Sequence, residues 1–311
     1  MPTQTTSTIL MVRPANFGFN SETADNNFYQ QQDDRDAREI NQIAQKEFDG
    51  FVNLLESKGV RVIVLEDTSE PKKTDSIFPN NWFSTHEDGK VILYPMFSPN
   101  RRLERRKDII EKLMELGFRV EEIIDLSFFE HDEQYLEGTG SLILDRENKI
   151  AYACRSLRTH SVPLQYFGRL MGYEILDFNA TQVINGEVSP IYHTNVMMHV
   201  GSEITIVCLE SISNTSERLN LQTKLEHSGK KIIPITAKQK FNFAGNMLEV
   251  QNEKGEKFTV MSKAAFNSLS KAQKENILKH TEIISPEIPT IEKLGGGSAR
   301  CMMAEIFLPK S

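Results

Sequence analysis

The chain has 311 residues, 39% hydrophobic and 25% charged, with 36 basic against 43 acidic side chains and a formal net charge of −7. This is an ordinary globular composition, and its acidity excludes a general nucleic-acid binder, whose phosphate partners need clustered positive charge. No apolar run approaches the roughly 20 residues that span a bilayer, so a membrane partner is not expected either. The amino end up to Thr8 has no basic leader region, and Ile9 to Val12 is too short for a signal core, so the sequence reads as cytoplasmic. Cys154, Cys208 and Cys301 are odd in number and far apart. That spacing indicates neither a disulfide framework nor a CxxC-type zinc site.

In chain order, the first predicted elements are a strand over 8–12, a helix over 34–58 and a strand over 60–65. A hairpin follows at 82–84 and 91–94, then a helix over 101–116 and a strand at 118–120. The same order returns three times. Hairpins at 141–144 and 150–154, 196–200 and 204–208, and 247–250 and 258–260 precede helices over 160–171, 215–228 and 262–279 and strands at 173–176, 231–235 and 281–284. Gly117, Gly172 and Gly229 mark helix ends. The residues opening each hairpin are Asn81, Gly140, Asn195 and Asn246, and Cys301 opens a last strand over 301–308; the intervals are 59, 55, 51 and 55 residues. A period of about 55 predicts five units of strand, strand, helix, strand, with the final unit completed by the amino-terminal elements. The expected architecture is a five-bladed α/β-propeller of ββαβ repeats, one blade shared by the two termini, in a single domain over 1–311.

Such a ring brings the five openers and their neighbours to one end of a central channel. Cys301 follows the run Gly295-Gly296-Gly297, where backbone can approach a ligand closely and local donors can activate a thiol. Cys154 and Cys208 lie in apolar strands and read as core thiols. His193 lies two residues before Asn195 and can serve as an acid and base, while Glu137, before Gly138-Thr139-Gly140, can hold an amidinium or urea N–H. The adjacent residues His131, Asp132 and Glu133 cannot encircle one ion, so no metal site is expected.

These residues carry a resemblance. Gly295 to Cys301, the Leu136-Glu137-Gly138 segment, the His193-Thr194-Asn195 segment and Phe78-Pro79-Asn80-Asn81-Trp82 are similar to motifs of the pentein superfamily, whose members include arginine deiminases, dimethylarginine hydrolases and amidinotransferases. The resemblance implies Cys301 as nucleophile, His193 as general acid and base and Glu137 as substrate-orienting acid, acting on a planar guanidine-type or urea-type carbon without a cofactor. It also implies a substrate-binding set of Phe78, Asn80, Asn81 and Asn195, joined by Asn16. Arg158, with Arg101 or Arg102, is the expected clamp for an amino-acid carboxylate.

Two departures bear on the substrate. Asn81 and Asn195 stand where arginine deiminases carry aspartates. Two carboxylates suit a cationic guanidinium, whereas an amide offers both donor and acceptor and suits a neutral ureido group. The expected reaction is hydrolysis of citrulline to ornithine, carbon dioxide and ammonia, nearest to the citrulline hydrolases. The alternatives are an arginine deiminase, an arginine dihydrolase or a non-catalytic propeller scaffold. The expected partner is a small molecule, and a homo-oligomer is compatible with the sequence.

Overall fold

The computed structural model describes residues 3–310. Among the described residues the strands form five separate three-stranded sheets and one two-stranded hairpin, and no sheet closes on itself. Each three-stranded sheet has an antiparallel pair followed by a parallel one. The amino-proximal case pairs Phe83–Thr85 with Lys90–Leu93, and that strand with Glu122–Asp125. The next two run Ile143–Asp145, Ile150–Cys154 and Glu174–Phe178, then Met198–Val200, Ile204–Val207 and Lys231–Pro234. The fourth contains Leu248–Gln251, Lys257–Val260 and Glu282–Ile284. The fifth is assembled from both ends of the chain: Ala304–Glu305 pairs antiparallel with Thr8–Arg13, which runs parallel to Arg61–Glu66.

Burial explains why these sequences form this order. Middle strands such as Ile150–Cys154 and Ile204–Val207 are buried throughout and consist of uninterrupted apolar or small residues, whereas third strands such as Glu122–Asp125 alternate or face water. A parallel partner needs a long crossover, and each crossover carries a helix whose apolar stripe covers the sheet. Helix Ala37–Ser57 buries Ile40, Ala44, Phe48, Phe51, Val52 and Leu55 at helical spacing, and the Asp36 carboxylate accepts from the free N–H groups of Arg38 and Glu39.

Several expected boundaries move. The helix expected over 101–116 divides into Pro99–Arg102 and Lys107–Glu115, with Arg105 between them held by Glu130 and by the Tyr94 carbonyl at 3.1 Å. The helix expected over 262–279 divides into Lys263–Ser268 and Lys271–Leu278, the second restarted by a Ser270–Gln273 capping box. The strand expected at 118–120 lies at Glu122–Asp125. The hairpin of Thr181–Ile184 with Glu187–Pro190 has no counterpart in the repeat.

The most consequential shift concerns the openers. Asn81, Gly140, Asn195 and Cys301 do not begin strands; they lie on short helical turns, Pro79–Asn81, Gly138–Ser141, Thr194–Val196 and Ala299–Met302, just before them. The expected strand over 301–308 is accordingly reduced to Ala304–Glu305. These turns touch one another: Gly138–Ser141 meets both Pro79–Asn81 and Thr194–Val196, and Pro79–Asn81 meets Ala299–Met302. Among the described residues no helix is long and apolar enough to cross a membrane.

Candidate active site

Glycine is what lets these turns approach. A side chain at Gly138, where φ is +44°, would place Cβ 2.4 Å from the Asn80 carbonyl oxygen. One at Gly140 would lie 2.4 Å from Asn81 Nδ2 and 2.8 Å from His193 Nδ1. At the other edge, Gly297 leaves room for the Phe78 ring and borders the Cys301 Cβ. Backbone therefore occupies the space between candidate side chains, and Phe78, Asn81, Glu137, His193 and Cys301 share one buried locality.

Glu137 is its electrostatic centre. This fully buried carboxylate accepts from the Phe97 N–H at 3.0 Å through Oε1, while Oε2 lies 2.8 Å from His193 Nε2, 3.4 Å from Arg158 Nη1 and 4.0 Å from Arg101 Nη1. Burial alone would raise its pKa, but the Arg158 charge, the His193 hydrogen bond and the Arg101 charge hold it well below the usual carboxylate range. An ionised carboxylate only accepts, so His193 donates from Nε2 and keeps Nδ1, beside Gly140, as its basic nitrogen. Burial lowers the His193 pKa to about 4 against the opposing pull of Glu137, so the imidazole is neutral near pH 7.

Cys301 is held differently. Asn195 Nδ2 and Asn246 Nδ2 each donate to its sulfur at 3.3 Å. Tyr192 packs against His193 and donates to the Gly296 carbonyl at 2.9 Å, closing the wall behind the glycine run. The other thiols differ in kind. Cys154 is buried in its strand, where desolvation pushes it up to about 12, and burial likewise raises Cys208.

The arginines separate. Arg101 is buried, bidentate to Glu104 at 2.9 and 2.8 Å, and donates to Asn81 Oδ1 at 3.0 Å. Arg158 is buried beneath residues 23–26, where it meets the Asn26 side-chain oxygen at 2.9 Å through Nε and the Thr23 carbonyl at 3.3 Å. Its guanidinium lies 4.9 Å from the Tyr192 ring. Arg102 turns away, to the Met96 carbonyl at 3.1 Å and Glu130 at 3.4 Å. Asn80 is buried against Thr139. Asn16 is not brought into this locality; its amide donates to the Ser69 carbonyl at 2.9 Å beside a separate surface recess.

Other polar residues join the cluster without having been singled out in the sequence. Asp75 is buried, accepts from Asn20 Nδ2 at 2.7 Å and lies 3.7 Å from Arg101. Its position three residues before Phe78 was a usable signal. Asn26 had none, since its contact with Arg158 spans 132 residues.

A family model described as eukaryotic N,N-dimethylarginine dimethylhydrolase matches residues 13–308. The chain belongs to this family. That places the dimethylhydrolase-family chain in the arginine-modifying branch of the pentein superfamily, and makes it homologous to hydrolases acting on C–N bonds. Comparison with curated proteins gave no match. Among solved structures, the amino-terminal domain of ArgZ, an arginine dihydrolase from the ornithine–ammonia cycle in cyanobacteria, is similar over 97% of this chain and 99% of that one, with TM-score 0.69 and 15% identity. Unliganded AgrE is similar over 98% of this chain with TM-score 0.72 and 16% identity. A dimethylarginine dimethylaminohydrolase adduct with 4-chloro-2-hydroxymethylpyridine is similar over 98% of this chain and all of that one, with TM-score 0.64 and 14% identity. The chain spans 40% of the longer ArgZ and AgrE chains.

Proposed function

We propose that the chain is a cysteine-dependent hydrolase of the ureido carbon of citrulline, and that its five sheets stand around one axis as a five-bladed α/β-propeller forming a single domain. One observation carries the substrate choice. Asn81 Nδ2 and Asn195 Oδ1 are buried and have no hydrogen-bond partner among the described residues, so the site leaves open one amide donor and one amide acceptor. A ureido group supplies the complement to both, an oxygen that accepts and N–H groups that donate.

In this reading His193 Nδ1 takes the Cys301 proton, and the sulfur attacks the ureido carbon to give a tetrahedral adduct. His193 returns the proton to the terminal nitrogen, the C–N bond breaks and ammonia leaves, so that a thiocarbamate joins Cys301 to the ornithine nitrogen. Water, losing a proton to His193, attacks the same carbon. The C–S bond breaks, the thiol is regenerated, and the released N-carboxy-ornithine decomposes to carbon dioxide and ornithine. Glu137 keeps His193 in the tautomer these steps require, and Arg158 and Arg101 are the cations whose charge, beside Glu137, attracts the substrate carboxylate.

A second reading, an arginine dihydrolase, draws support from the name of the ArgZ relative and from Asp75, a further buried carboxylate beside Arg101. Purified protein incubated separately with citrulline, arginine, agmatine and dimethylarginine decides between them. Ornithine from citrulline alone supports the proposal, ornithine and ammonia from arginine support the second reading, and dimethylamine from dimethylarginine refutes both.

A further inference from the structure

Asn246 opens the fourth repeat, and the reaction just described gives it no task. The carboxamide is buried and has three neighbours. Its Oδ1 accepts the Arg300 backbone N–H at 3.1 Å and lies 3.7 Å from Cys301 Sγ, close enough to accept from the thiol, and its Nδ2 donates to the Asn195 carbonyl at 3.1 Å and, more closely, to Cys301 Sγ at 3.3 Å. The first two partners fix the orientation of the amide. A backbone N–H must face the oxygen and a backbone carbonyl must face the nitrogen, so an N–H is necessarily presented to the sulfur.

The surroundings of Cys301 make that donor significant. The cation adjacent in sequence is turned away, because the Arg300 guanidinium binds the Met303 carbonyl and Glu305, each at 3.0 Å. The Cys301 backbone N–H is already given to the Ser298 carbonyl at 2.9 Å. The donors that reach the sulfur are therefore two neutral carboxamides, and Asn195 is the one whose oxygen is left open for substrate. Asn246 has no open atom. Its bonds are all internal, which suits a group that holds the sulfur rather than the substrate.

We propose that Asn246 is a positioning residue for Cys301: its amide N–H donates to the sulfur and favours the thiolate formed when the proton leaves for His193, and its oxygen ties down the Arg300 backbone so that the sulfur stays between the Asn195 and Asn246 amides. This rests on Cys301 being the nucleophile. The two functions of the carboxamide are separable, because Asn246→Asp keeps an acceptor for the Arg300 N–H and removes the donor to sulfur, whereas Asn246→Ser shortens the side chain away from both.

The experiment measures the rate of iodoacetamide alkylation of Cys301 against pH, without substrate, by peptide mass spectrometry. Wild type, N246D and N246S are compared, with C301S as the control for other sites and near-ultraviolet circular dichroism for the fold. A hydrogen bond to a charged group corresponds to about one pH unit or more, so both variants should reach half-maximal alkylation at higher pH and react about tenfold more slowly below the wild-type midpoint. N246D should shift at least as far as N246S, since it adds a negative charge. A folded N246D with the wild-type profile would show that only the backbone tether matters and would overturn the assignment; should N246D fail to fold, an unshifted N246S does the same. Turnover in C301S separates the two levels of argument. Loss of turnover with an unshifted alkylation profile removes Asn246 and leaves Cys301 in place, whereas retained turnover removes Cys301 as nucleophile and Asn246 with it.

Discussion

Replacing Glu137 by glutamine tests whether the buried charge cluster is organised as described. The substituted carboxamide cannot satisfy both sides of its site. With its oxygen toward His193 and Arg158, its NH2 meets the Phe97 N–H, donor against donor; reversed, the NH2 faces two guanidinium groups. Arg101 retains Glu104 and Asp75, but Arg158 is left with the neutral oxygens of Asn26 and Thr23 and the faces of Tyr192 and Phe97. Removing one member of a buried pair costs about 3–5 kcal/mol, and the ring contacts and Asn26 oxygen place this case toward the lower end, near 3 kcal/mol. Urea unfolding of wild type, E137Q, R158M and the double variant measures it. If the two side chains are coupled, the double variant loses less than the sum of the singles by about 1 kcal/mol or more. Additive losses, or an E137Q loss under about 1 kcal/mol, would refute a cluster centred on Glu137.

Asn81→Asp combined with Asn195→Asp should raise the ratio of kcat/KM for arginine over citrulline at least about tenfold while lowering activity on citrulline, because both open amides become carboxylates; proportional losses on both substrates would refute the neutral-clamp argument. Stability should also carry a signature of buried histidine. Burial lowers the pKa of His199 to about 3 from an ordinary 6.5, so between these values the unfolded chain binds the extra proton and the protein loses stability as pH falls. Relative to H199N, wild type should lose about 1.4 kcal/mol per pH unit below 6.5 in urea unfolding at pH 7, 5.5 and 4.5, and a pH-independent difference would contradict it.

The parts of the fold legible in the sequence were those written in local periodicity. The buried stripe from Ile40 to Leu55 and the left-handed glycines 117, 172 and 229 can be read one segment at a time. The opener turns cannot. They exist because backbones distant in sequence meet, Gly138 against Asn80 and Gly245 against Val196, each with 2.4 Å to a hypothetical Cβ, and no window of 15 residues contains both members. The same distinction separates the site residues. Cys301, His193 and Glu137 were marked by their own neighbours in sequence, whereas Asn26 and the task of Asn246 depend on partners 132 and 55 residues away. Asn16 drew attention through likeness alone, and its side chain is committed to Ser69.

The open amides also set the sign of substrate preference. A buried polar atom without a partner costs about 1–3 kcal/mol, and a ligand that completes it recovers that amount on binding. Arg101 fixes Asn81 with its oxygen already used, so what remains is Nδ2, a donor. A guanidinium carries only donors; it can satisfy Asn195 Oδ1 but leaves Asn81 Nδ2 unpaired and facing positive charge. A ureido oxygen completes Asn81 and a ureido N–H completes Asn195. The difference is one buried donor satisfied or not, about 1–3 kcal/mol, or roughly five- to 150-fold in relative binding. Arginine recovers that deficit only if another carboxylate reaches it. Asp75 has one oxygen without a partner among the described residues, which makes it the residue through which arginine would have to compete.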